Sequence, residues 1–131
     1  MDAFLAQVVL WLAAAYLIAL GITALVRPDK AQAFLAGFAQ TRRANWIEAI
    51  IRFVIGLAFV FAAPALPYPV ALTAFGALLM LTAAALPSFP DAHRRIAARS
   101  VASIAPFIRL VGVGSLIGGI VLCLLLSAAL E

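Results

Sequence analysis

Apolar residues form four long runs along the chain, at positions 3–26, 46–63, 68–86 and 107–130, and polar residues concentrate between the runs. Each run has about the 17 to 25 residues that a helix needs to cross a bilayer. The pattern predicts an all-α membrane protein, a bundle of four transmembrane helices. We expect a single membrane domain over residues 1–131, built from two similar helical hairpins, 1–63 and 64–131.

The basic residues all lie on one side of this predicted bundle. The nine Lys and Arg residues occur between the first and second runs, between the third and fourth runs, or in the helices that follow these two connections. The positive-inside rule therefore predicts that both connections are cytoplasmic and that both termini are outside. The arginines expected to contact anionic lipid headgroups are Arg42, Arg43, Arg94, Arg95 and Arg99.

Both connecting segments also show helical periodicity. In the first, Ala31, Phe34, Leu35 and Phe38 recur at helical spacing, which favours a short amphipathic helix on the membrane surface. The second connecting segment has an apolar stripe opposite a basic stripe, which also favours an amphipathic helix on the membrane surface. The apolar stripe is Ala97, Val101 and Ile104, and the basic stripe is Arg94, Arg95 and Arg99. Ordinary solvated loops are the alternative for both segments.

The two halves of the sequence share one plan. In each, an apolar helix is followed by a proline, a polar and basic stretch, an arginine with glycine near it, and a second apolar helix. "RPDKAQAF" corresponds to "FPDAHRRI", and "IRFVIGLAFVF" corresponds to "IRLVGVGSLIGG", with Arg52 over Arg109. Because each half crosses twice and the connections share a side, the pattern indicates a parallel repeat of two hairpins.

These stretches also resemble a known family. "FPDAHRRI" followed by "APFIRLVGVGSLIGGIVL" is similar to the YjeT-like family of very small bacterial inner-membrane proteins, which have two helices around a basic loop and no established activity. The resemblance covers mainly residues 90–122 and, more weakly, residues 28–56. The chain looks like a tandem two-hairpin version of that family. The resemblance implies a bacterial inner membrane and nothing catalytic.

Glu48 and Arg52 interrupt the second apolar run, in the stretch "NWIEAIIRFVIGLAFVFAAP". Their spacing of four residues places them on one helix face, where their opposite charges can cancel. An arginine at mid-membrane costs about 2.5 to 3.5 kcal/mol on insertion scales. We therefore expect an inward-facing, self-neutralised pair that fixes the rotation of its helix, with Arg109 or Asn45 as further partners. The alternative is a functional ion path lined by Glu48 and Arg52.

The last apolar run contains the small-residue stretch "GVGSLIGG". Small residues at small-xxx-small spacing let helices approach closely. The residues placed in this way are Gly114, Ser115, Gly118 and Gly119, extended by Gly112 and, on the second helix, by Gly56. We expect this thin face to pack inside the bundle or against a partner subunit, and a flexible hinge is the alternative.

Composition and charge narrow the functional classes. Hydrophobic residues make up 67% of the chain and charged residues 11%, which excludes an ordinary soluble domain. The net charge is +4. Basic residues beside apolar helices are explained by attraction to anionic lipid headgroups and by their control of membrane topology, so we expect no nucleic-acid partner. Cys123 has no second cysteine for an intrachain disulfide, and His93 has too few neighbouring ligands for a metal or haem, so no cofactor is expected.

Catalysis has little support in the sequence, because there is no nucleophile beside a base, no paired carboxylates and no phosphate-binding glycine loop. We expect the protein not to be an enzyme. The leading hypothesis is an accessory or scaffold subunit that binds another membrane protein, a second copy or anionic lipid. The rival hypothesis is a small transporter or ion conduit that uses Glu48 and Arg52.

Overall fold

The structure is a computed structural model that describes residues 1–37 and 41–131. For eight of these residues it describes the backbone but not the side chain: Pro90, His93, Arg94, Ala97, Val101, Ala102, Ile104 and Ala105. In this range the chain forms α1 (Ala3–Val26), α2 (Pro28–Gly37), α3 (Arg42–Ala62), α4 (Pro69–Ser88), α5 (Pro90–Ile104) and α6 (Ile108–Ala128). Short 3-10 turns at Ala63–Ala65 and Ala105–Phe107 follow α3 and α5. The predicted all-α bundle is confirmed.

Four of these helices are long and apolar enough to cross a membrane. They are α1, α3 with its 3-10 extension, α4 and α6, with 24, 24, 20 and 21 residues. No more than a third of the residues in each spanning window are buried, as expected when lipid covers the outer faces of a bundle. This is the architecture of a small multi-pass membrane protein.

Polar side chains mark where two of the spanning helices begin. The carboxylate of Asp2 accepts a hydrogen bond of 2.7 Å from the Leu5 N–H at the start of α1. The hydroxyl of Thr41 accepts one of 3.0 Å from the Ala44 N–H at the start of α3. Such caps satisfy N–H groups that lack a partner within the helix. Because of its cap, α3 begins at Arg42, before the apolar run that starts at position 46.

Glycines bring the spanning helices together in two close pairs, α1 with α6 and α3 with α4. A Cβ atom added to Gly112 on α6 would lie 2.7 Å from the Cβ of Ala24 and 3.0 Å from the carbonyl oxygen of Gly21, both on α1. A Cβ atom added to Gly56 on α3 would lie 2.7 Å from the carbonyl oxygen of Gly76 on α4. Both pairs are antiparallel, and the helices approach closely because each contact has a glycine, which carries no side chain, at its centre.

Each close pair joins the first half of the chain to the second half. In the predicted repeat, α1 corresponds to α4, and α3 corresponds to α6. The α1–α6 pair therefore corresponds to the α4–α3 pair, which is the arrangement that a tandem repeat produces. Helices α1 and α3, which are neighbours in sequence, pack less extensively. The hairpins 1–63 and 64–131 are therefore not the closest-packed units, and the duplication itself stays a prediction.

The described buried core includes two separate clusters, and the buried residues Ala49, Ala63, Ala83 and Leu86 belong to neither. The larger cluster lies in the half of the bundle that holds the termini and comprises Ala6, Leu10, Ala14, Ala58, Phe59, Ala62, Leu66, Leu122 and Leu126. The ring of Phe59 meets that of Phe75 edge-on, with 5.1 Å between centroids. The smaller cluster, at the other end, comprises Ala24, Ala31 and Ile108.

Helices α2 and α5 contact each other at the end opposite the termini. Helix α2 folds back along α1, because Ala31 is buried against Ala24 and the Phe34 ring lies 6.2 Å from that of Tyr16. Tyr16 is ten residues before the end of α1, so α2 is packed into the bundle rather than lying apart from it on the surface.

The described side chains of helix α5 are not covered by the rest of the chain. All of its described side chains are exposed, among them Ile96 at 65%. The apolar stripe predicted for this segment, like Phe38 in the first connection, lies outside the described residues. The amphipathic character of α5 therefore stays a prediction.

Candidate functional site: the polar row of α3

Four polar side chains form a row along α3, from its start at the basic end to its middle. They are Thr41, Asn45, Glu48 and Arg52, and their spacings of four, three and four residues place them on one helix face. At about 1.5 Å per residue, Arg52 lies about 15 Å along the helix from Arg42, which is about half the thickness of the hydrocarbon layer. The next residues on this face, Ile55 and Phe59, are apolar, so the row stops near the middle of α3.

Glu48 and Arg52 form an ion pair within the row. The Nη2 group of Arg52 donates to Oε1 of Glu48. Helical side chains lean toward the helix N-terminus, which brings the guanidinium back over the carboxylate one turn earlier. The predicted pairing is therefore present. The exposed fractions of the two side chains are 33% for Arg52 and 19% for Glu48.

The row lies between two packed sides of α3. Gly56 marks the side of α3 that touches α4, and Ala58 and Ala62 mark the side that shares the larger core cluster with α1. The positions of the row lie between these two sides on the helix. The charge pair therefore lies between the α1 and α4 contacts of α3, and its inward orientation stays a prediction.

Asn45 links α3 to the end of α4. Its side chain is buried, and its Nδ2 group donates a hydrogen bond of 3.1 Å to the carbonyl oxygen of Leu86. In a continuing α-helix that carbonyl would accept from the N–H of residue 90, but Pro90 has no N–H. Asn45 therefore supplies the missing donor. The sequence suggested Asn45 as a partner of the charge pair, and its bond to α4 was not foreseen.

Arg109 does not join the Glu48–Arg52 pair. It lies in the first turn of α6, where its side chain is exposed, and it makes no ion pair or hydrogen bond with any described residue. The helix after it is long enough to cross the hydrocarbon layer, so its charge can reach the headgroup region. The expectation that Arg109 completes the polar site is not supported.

The other arginines of interest lie at the basic end. Arg42, Arg43, Arg95 and Arg99 are exposed, and the side chain of Arg94 is outside the described residues. Arg42 and Arg43 occupy the first turn of α3, where cations oppose the helix dipole. Helix stability therefore does not explain their position. Their contact with anionic headgroups stays a prediction.

The small residues of α6 divide between two faces. Ser115 and Gly119 face α1: the Ser115 hydroxyl donates to the Leu17 carbonyl at 2.8 Å, and a Cβ added to Gly119 would lie 2.7 Å from Cγ1 of Ile18. These two residues take the packing role predicted for them. Gly112, named only as an extension of that face, belongs to the same contact.

Gly114 and Gly118 lie on the other face of α6. Both are exposed, and a Cβ added to either would have no atom within 4 Å. Within this chain they do not take the packing role predicted for them. The alternative in which they pack against a partner subunit stays open.

Known proteins provide no further guide to this site. No protein-family model matches the chain, and searches of curated proteins and of solved structures gave no match. The YjeT-like resemblance therefore stays a prediction from the sequence pattern.

Proposed function

We propose that the protein is a non-enzymatic subunit of the bacterial inner membrane that acts by association, as an accessory or scaffold protein for another membrane protein. One observation carries this proposal: Gly114 and Gly118 form an open, thin strip on the outside of α6. Inside the bundle, glycines such as Gly21 and Gly112 are used where helices touch. A strip of the same kind on the outer surface suits a close contact with a helix of another chain.

The distribution of charge supports a defined orientation for this subunit. Eight of the nine Lys and Arg residues lie in or beside the connections, and the ninth, Arg52, lies in the helix that follows the first connection. This distribution favours cytoplasmic connections and periplasmic termini. In this orientation the exposed arginines at the basic end, including Arg42, Arg43, Arg95 and Arg99, would lie among the anionic headgroups of the inner leaflet. Lipid binding at that end would accompany protein binding along α6.

Mild detergent extraction followed by native gel electrophoresis tests the proposal. We expect the natural chain to migrate with a larger membrane protein or a second copy, and the double variant Gly114→Ile/Gly118→Ile to migrate alone. The matched control is Val113→Leu/Ile120→Leu, which changes two exposed positions on a different side of α6 and should retain the partner. A natural chain that migrates as a lone monomer, without partner or bound lipid, would contradict the proposal.

A small transporter or ion conduit is the second candidate, because the Glu48–Arg52 pair lies near the middle of α3. Ionisable groups at mid-membrane commonly mark transport pathways. Flux measurements on proteoliposomes separate the two candidates. Substrate-specific flux that disappears in Glu48→Gln, at an unchanged level of folded protein, would favour transport. Equally low fluxes for the natural chain and for the Glu48→Gln variant would support the accessory or scaffold function.

A further inference from the structure

The polar row of α3 lies between two packed sides of the helix but is not fully enclosed. Glu48 and Arg52 lie on the face between the α1 and α4 contacts, yet their side chains are 19% and 33% exposed. Two turns beyond Arg52 the same face holds Phe59, which is only 6% exposed. Protein atoms therefore do not fill the space beside the charge pair, whereas they do fill it beside Phe59.

Asn45 indicates what occupies this space. Its side chain is 4% exposed, and its Oδ1 atom has no hydrogen-bond partner among the described residues. Buried amide oxygens nearly always accept a hydrogen bond from protein or from ordered water. Lipid acyl chains provide no donor, so water is the simplest molecule that satisfies this atom.

The charge pair leads to the same conclusion. Ionised side chains within membrane spans lie against protein or a water-filled cavity rather than against acyl chains. Glu48 and Arg52 are partly exposed and lie on the side of α3 between its contacts with α1 and α4, near the middle of a helix long enough to cross the hydrocarbon layer. Water at this depth would hydrate both groups while leaving their ion pair in place.

The larger core cluster closes the space on the side of the termini. Phe59 and Phe75 meet edge-on there, and Leu10, Ala14 and Ala58 have no exposed surface. Only apolar side chains make up this cluster. Apolar side chains therefore pack closely beside Phe59, on the terminal side of Arg52.

From these observations we propose that water enters the bundle at its basic end and fills a recess that reaches Glu48 and Arg52 and stops there. The recess is lined by the polar row of α3, and the larger core cluster closes it. It does not depend on the proposed association through α6, because the row and the Gly114–Gly118 strip belong to different helices.

Cysteine accessibility tests the recess. Cys123 is the chain's only cysteine, so the full chain with Cys123→Ala gives a background without thiols. Single probes Asn45→Cys and Glu48→Cys sit in the recess, Ile47→Cys sits at nearly the same depth on the exposed side of α3, and Ile55→Cys sits beyond the charge pair. Charged methanethiosulfonate reagents modify thiolates, which form only where water is present.

In lipid vesicles we expect the probes at positions 45 and 48 to react about tenfold faster, or more, than those at 47 and 55. Equal rates of thiol modification at positions 45, 47 and 48 would overturn the proposal of a recess. Fast modification at position 55 would overturn the proposal that the recess stops at the charge pair. Water-edited solid-state NMR of the unsubstituted chain gives a second readout that needs no variant to fold. Rapid transfer from water to Arg52 but not to Phe59 supports the recess, and transfer to neither residue overturns it.

Discussion

Replacing Gly112 by Ala should weaken the α1–α6 contact. The added Cβ would lie 2.7 Å from the Cβ of Ala24 and 3.0 Å from the Gly21 carbonyl oxygen. Carbon atoms in contact are usually about 3.5 to 4.0 Å apart, so α6 must move away by about 1 Å. Overpacking of this kind costs about 1 to 3 kcal/mol. The movement also stretches the 2.8 Å bond from Ser115 to Leu17, and loss of an interhelical hydrogen bond in a membrane costs about 0.6 kcal/mol.

The total expected loss is about 1.5 to 3.5 kcal/mol in the free energy of unfolding. Equilibrium unfolding in mixed detergent micelles measures this loss. Gly114→Ala is the matched control, because it makes the same chemical change two residues away, where a Cβ meets nothing within 4 Å. We expect the control to stay within about 0.5 kcal/mol of the natural chain. Equal stability of the Gly112→Ala and Gly114→Ala variants would refute the close approach of α1 and α6.

Two further substitutions test the polar row. Glu48→Gln alone leaves the Arg52 charge without its partner, so it should destabilise the fold by about 1 to 3 kcal/mol, and adding Arg52→Gln should recover part of that loss. Strictly additive effects in this double-mutant cycle would contradict the pair. Asn45→Asp places a carboxylate oxygen opposite the Leu86 carbonyl in place of the Nδ2 donor, so it should lower the free energy of unfolding by about 1 to 3 kcal/mol. An unchanged unfolding midpoint for Asn45→Asp would contradict the link between α3 and α4.

The apolar runs predict the spanning helices well because lipid requires long, continuous apolar segments. The first run and α1 have the same bounds, Ala3–Val26. Helix α3 departs from its run because the hydroxyl of Thr41 caps it before the apolar residues begin. Hydropathy averages over many residues, whereas a cap depends on a single side chain.

The sequence did not identify which glycines touch α1. The stretch "GVGSLIGG" contains more than one register at small-xxx-small spacing, and periodicity alone does not say which one faces the neighbouring helix. In the structure, Gly112, Ser115 and Gly119 face α1, and Gly114 and Gly118 face outward. The choice depends on how α6 rotates when its other side chains pack.

The contact between Asn45 and Leu86 was also missed, although the sequence contains a signal for it. Pro90 follows Leu86 by four residues, so it leaves the Leu86 carbonyl without a helical donor. A polar side chain on another helix was therefore needed near that point. The sequence could not show that α3 pairs with α4 closely enough for Asn45 to be the residue that reaches it.

The membrane topology of the chain is the most direct test of the central claim, that four apolar helices span a bilayer with both basic connections in the cytoplasm. In the Cys123→Ala background, single cysteines replace Asp29 in α2, Ser103 in α5 and Glu131 at the C-terminus, all of which are exposed. With an impermeant thiol reagent, intact cells should label position 131 only, and inverted vesicles should label positions 29 and 103 only. Labelling of position 29 or 103 in intact cells, or recovery of the chain in solution without detergent, would contradict the claim.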